Sequence, residues 1–75
     1  MYTVKNVSGT CKAFEVNNGT ETLICNEGQR VTVNGSTYTV GKESGVCWIF
    51  KLTQVTIGGS VREVKEKVCK EGQFI

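Results

Sequence analysis

"FEVNNGTETLIC", residues 14–25, decides the fold class. Asn-Gly at its centre favours positive φ at both turn positions, which matches the right-handed twist of two flanking strands. On the near side, Phe14 and Val16 share one face at period two. On the far side, Leu23 and Cys25 share another. The stretch predicts a β-hairpin.

The same reading extends outward. "YTVKNV" places Tyr2 and Val4 together, "RVTV" pairs Val31 with Val33, and "TYTV" pairs Tyr38 with Val40. "SGT", "NEGQ" and "NGS" supply the intervening turns, and the chain has no proline. Residues 1–40 therefore read as an antiparallel meander. "VCWIFKL" is the most apolar run. Val46, Trp48, Phe50 and Leu52 share one face while Cys47 and Ile49 take the other, which predicts a central strand covered on both sides, with Trp48 and Phe50 as core anchors. Val55 and Ile57 fall out of phase with Leu52, so a bulge is expected near Thr53.

Residues 60–70 read differently. Val61, Val64 and Val68 lie at helical spacing, Ser60 and Glu63 form a capping box, and Glu63–Lys67 and Glu66–Lys70 are i,i+4 ion pairs. Together these predict a short helix, although valine is a weak helix former and Gly58-Gly59 would also close a hairpin. The expected fold is mainly β: one domain over residues 1–75, a small antiparallel barrel or curled sheet of five to six strands, with a short C-terminal helix at one end. No internal repeat is apparent.

Composition narrows the chemistry. The 75 residues contain no His and no Asp, so neither a Ser-His-Asp nor a Cys-His arrangement can be built. No glycine pattern matches a nucleotide loop. These absences predict a non-enzymatic protein. Nine Lys and Arg against seven Glu leave a net charge of +2, too weak a bias for a nucleic-acid binder. No run is apolar enough to span a membrane, and "MYTVKNVSGT" lacks the features of a signal peptide. The cytosol, or a particle assembled in it, is the expected location.

Cys11, Cys25, Cys47 and Cys69 are too widely spaced for a zinc knuckle. An even count in a short chain allows disulfides, with three connectivities, but without an export signal reduced thiols are expected. Cys25 and Cys47 then read as small core fillers; Cys11 and Cys69 stay open.

The run "VKNVSGTCKAFEVNNGTETLICNEGQRVTV" resembles small bacteriophage β-modules of the virion accessory or head–tail type. The likeness spans residues 3–33 and lies in turn chemistry and alternation. It implies a protein that works by binding other proteins, without a cofactor: a virion accessory or assembly protein. The alternative is a phage inhibitor of bacterial defence, an anti-CRISPR-like protein or a sponge for a nucleotide signal. A protein partner is expected in either case, as is self-association in the first. The expected contact residues are Arg62, Lys65, Lys67, Phe74 and Ile75, an apolar tip beside basic side chains. The competing role for Phe74 and Ile75 is to fold back and close the barrel end.

Overall fold

Five two-residue turns punctuate the chain: Ser8-Gly9, Asn18-Gly19, Asn34-Gly35, Ser44-Gly45 and Gly58-Gly59. Both residues of each have positive φ, the geometry that closes tight hairpins without splaying the strands. A computed structural model describes residues 1–75. It contains seven strands: β1 (Tyr2–Val7), β2 (Thr10–Asn17), β3 (Thr20–Asn26), β4 (Arg30–Val33), β5 (Ser36–Glu43), β6 (Val46–Ile57) and β7 (Ser60–Lys70). They form two antiparallel sheets, in the orders β1-β2-β3 and β4-β5-β6-β7.

Two expectations are corrected here. The fold is not a closed barrel. The turn over residues 27–29 carries the chain from one sheet to the other, so β3 and β4 do not pair. Nor is residues 60–70 a helix. Gly58-Gly59 closes a hairpin, and β7 pairs with β6 from Ile57↔Ser60 to Trp48↔Lys70. Three β-branched valines favour the strand, and a long β6 gives every residue of β7 except Val68 a ladder partner. The i,i+4 pairs are worth roughly a few tenths of a kcal/mol each and the cap about 1 kcal/mol, and together they lose.

The sheets bury one face of each against the other. Val4, Cys11, Ala13 and Cys25 from the first meet Val40, Cys47, Ile49 and Cys69 from the second. Two bulges set these inner faces. One lies opposite Ala13/Phe14, where Ile24 is the extra residue. The other lies opposite Ile49/Phe50, where Val68 is. The first separates two residues expected on one face. Cys25 is core, whereas Leu23 sits opposite Phe14 and is exposed. The second replaces the bulge expected near Thr53. Trp48 is likewise not in the core. It lies half-buried on the outer face, while Cys47 and Ile49 point inward.

The chain is also a repeat, contrary to the sequence reading. "YTVKNVSGTCKAF" (2–14) and "YTVGKESGVCWIF" (38–50) share Tyr, Thr, Val, Ser, Gly, Cys and Phe at equal positions. "CNEGQ" (25–29) then corresponds to "CKEGQ" (69–73). The hydrogen bonds repeat as well. Cys25 donates its thiol to the Gln29 carbonyl at 3.3 Å, and Cys69 to the Gln73 carbonyl at 3.4 Å. The Gln29 side chain accepts from Asn26 N, as the Gln73 side chain does from Lys70 N, both at 3.1 Å. Glu27 accepts from Cys11 N, and Glu71 from Cys47 N.

The halves then exchange partners. Thr39 donates its hydroxyl to the Gln29 carbonyl at 2.7 Å, and Thr3 to the Gln73 carbonyl at 2.8 Å. The segment after each turn joins the other half: Arg30 pairs with Thr39 and Phe74 with Thr3. Cys11 and Cys47 are therefore equivalent residues, and they form a disulfide. Cys25 and Cys69 are free and buried. The expectation of four reduced thiols is corrected for the first pair; Cys25 does fill the core.

Closing a loop with a sequence separation of 36 residues contributes roughly 3–4 kcal/mol by the chain-entropy argument. Intact mass of the native protein should lie about two mass units below that of the reduced chain. Denaturation without reductant should expose two alkylatable thiols. Reduction should lower the urea midpoint by the equivalent of that 3–4 kcal/mol, roughly. Four reactive thiols in the unreduced chain would contradict the cross-link.

Candidate binding surface

β5 accompanies β6 only as far as Thr37↔Leu52. Beyond that point β6 and β7 run on as a two-stranded arm, from Thr53↔Val64 to Ile57↔Ser60. The second half of the repeat is longer than the first by this insertion. Nothing covers the arm. Val55, Ile57, Val61 and Val64 are all exposed, Ile57 and Val61 to more than 60%. Val55, Ile57 and Val64 share one face because paired residues point the same way. A two-stranded ribbon has no core of its own.

The arm is tied down at its base by charge. Arg30 of β4 grips Glu63 with both guanidinium nitrogens, at 2.6 and 2.7 Å. Lys67 pairs with Glu43 at 2.7 Å and lies over the Trp48 ring, 4.8 Å from its centroid. Lys65 lies over Phe50 at 5.6 Å. These contacts cover the outer faces of Trp48 and Phe50, and Phe50 is buried.

Of the expected contact residues, Arg62, Lys65 and Lys67 lie on β7. Phe74 and Ile75 lie elsewhere, on the edge of the first sheet. Phe74 bridges Thr3, and Ile75 exchanges both backbone hydrogen bonds with Tyr2, at 2.8 and 2.9 Å. The two groups do not form a single tip-and-rim patch. Phe74 and Ile75 are nonetheless half-exposed, so the terminus is anchored through its backbone rather than packed into a core. The arm's apolar residues were missed. Their signal was the phase change after Leu52: there β6 leaves the core, and its side chains no longer follow the core's alternation.

A second feature is a cavity of about 150 Å³ between the sheets, lined by Tyr2, Cys25, Val31, Val33, Tyr38 and Ile49 among others. None of its lining side chains is charged, and it is smaller than the roughly 300 Å³ of ordinary small-molecule pockets. Burial raises the Cys25 thiol above its usual pKa, and the same holds for Cys69. Both are poor nucleophiles at neutral pH.

No protein-family model, curated protein or solved structure matches the chain.

Two outcomes follow from this geometry. Ile49→Ala, which opens the core, should destabilise by about 2–5 kcal/mol. Trp48→Ala, on the half-covered outer face, should cost only about 1–2 kcal/mol. Equal losses in chemical denaturation would place Trp48 in the core after all. Separately, the thiol pKa values are raised in the fold. Below the unfolded value of 9.0 both states hold the proton and the contribution is complete. As pH rises through the folded values it is lost, because the unfolded chain has already released its protons. Stability should therefore fall more steeply above pH 9 in the native protein than in the Cys25→Ala/Cys69→Ala variant. Parallel alkaline limbs would contradict the burial.

Proposed function

We propose that this chain is a non-enzymatic protein-binding module, an accessory or assembly component of a phage virion, and that the β6–β7 arm is its contact element. The observation that carries this reading is the arm itself: a ribbon beyond Leu52 with apolar side chains in solvent and no core beneath them. Such a ribbon contributes little to folding and offers strand edges and apolar anchors to a neighbour.

The disulfide favours a virion over the cytosolic inhibitor. Cross-links persist on particles and outside cells, whereas host thiol systems reduce them in the cytosol. The inter-sheet cavity is too small and too apolar to favour a nucleotide sponge, and in the more open groove of about 310 Å³ beside it Arg30 is held by Glu63 and Lys65 lies over Phe50. Nucleic acid is disfavoured because the net charge is only +2 and three of the nine basic side chains, Arg30, Lys67 and Lys5, are each paired with a glutamate: Glu63, Glu43 and Glu21. No helix is long and apolar enough to cross a membrane.

Thr53 and Val64 are directly paired, so residues 54–63 can be replaced by Asn-Gly to leave a closed hairpin. The exposed Arg30–Glu63 pair lost with them is worth at most about 1 kcal/mol, and melting should shift by only a few degrees. Quantitative mass spectrometry of density-purified particles should find the native chain at fixed stoichiometry and the armless variant depleted at least tenfold. Absence of the native chain from particles, or equal incorporation of both, would reject the proposal. Recovery of the native chain on a host nuclease complex would favour the inhibitor.

A further inference from the structure

β7 is the last strand of its sheet, and its outer edge is bare. None of the backbone bonds made outside the strand ladders involves residues 60–69. Exposed edges are usually blunted by charged side chains, bulges or proline, and β7 carries both charges and the Val68 bulge. Its charges alternate in sign, however, so they repel a second strand only in some registers: Arg62, Glu63, Lys65, Glu66 and Lys67 surround Val64.

We propose that β7 pairs antiparallel with β7 of a second copy, in the register centred on Val64. In that register Val64 faces Val64 of the second copy. Glu63 faces Lys65, Arg62 faces Glu66, and each pair occurs twice by symmetry. Every neighbouring register puts like charges opposite one another. Centring on Glu63 or on Lys65 sets that residue against itself. Centring between Glu63 and Val64 sets Arg62 on Lys65. Centring between Val64 and Lys65 sets Glu63 on Glu66 and Arg62 on Lys67. Directly opposed charges decide strand register in this way. The chosen register also brings Val55 and Val64 of both copies onto one face, joining two exposed patches into one band and two four-stranded sheets into a single eight-stranded one.

The inference rests on the arm being an interaction surface and not on the particle. Self-pairing is read on purified protein, so its failure is separate from failure of incorporation.

The test is a charge swap. Glu63→Lys/Glu66→Lys and Arg62→Glu/Lys65→Glu each place like charges at the opposed positions. Sedimentation equilibrium should show a monomer–dimer equilibrium for the native chain. Each variant alone should dimerise at least tenfold more weakly, with unchanged circular dichroism. The equimolar mixture should recover native-like affinity as a heterodimer. Amide exchange in residues 60–68 should slow with rising concentration of the native chain, while that in residues 20–24 on the free β3 edge should not. A native chain that stays monomeric, variants that dimerise normally, a mixture that does not recover, or protection at β3 instead of β7 would each overturn the proposal.

Discussion

The Cys11–Cys47 bond joins the two equivalent residues of a duplicated chain, and the rest of the structure depends on that junction. The shared core is thin. Of its eight residues, four are cysteines and one is alanine, so little hydrocarbon holds the sheets together. Domains of this size rarely fold on so small a core without a staple. The two Cys-X-Glu-Gly-Gln turns flank the cross-linked strands and close their backbones: the Glu27 carboxylate accepts from Cys11 N and the Glu71 carboxylate from Cys47 N. Each Gln carbonyl then receives a thiol from its own half and a threonine hydroxyl from the other. Covalent and polar links thus share a task that apolar burial performs in larger domains.

The hairpins were legible because their cause is local. Asn18-Gly19 and Asn34-Gly35 fix a turn whatever surrounds them, and alternation grouped Tyr2 with Val4 and Tyr38 with Val40, pairs that the structure turns inward. The bulges at Ile24 and Val68 were not legible. One extra residue reverses which side chains face inward, and only the partner strand reveals it. That is why Leu23 was grouped with Cys25. Trp48 was assigned to the core for another reason: the face that it shares with Phe50 and Leu52 is covered only in part, which alternation within β6 cannot show. Residues 60–70 carried real helical signals, but a long partner strand outweighed them.

The repeat was hidden by spacing. Cys11 to Cys25 spans 14 residues and Cys47 to Cys69 spans 22, so the inserted arm destroys the constant period that marks a duplication. With the repeat unseen, nothing singled out Cys11 and Cys47 as a pair. Of the contact residues, the exposure of Arg62, Lys65 and Lys67 was legible from their charge. Their separation from Phe74 and Ile75 was not, since it follows from the exchange of terminal segments between halves.

Gly41 shows what joining two units in one chain permits. Its counterpart in the first half is Lys5, which lies over Phe14. A side chain at Gly41 would bring a carbon within 3.3 Å of the Phe50 ring; without one, Phe50 settles against the backbone and is buried. In an assembly of two identical chains both sites would carry the same residue, and any change suited to one would be imposed on the other. A tandem gene removes that obligation. One half can keep a short hairpin while its sibling carries a long one, so novelty accumulates on one flank without a matching alteration on the other.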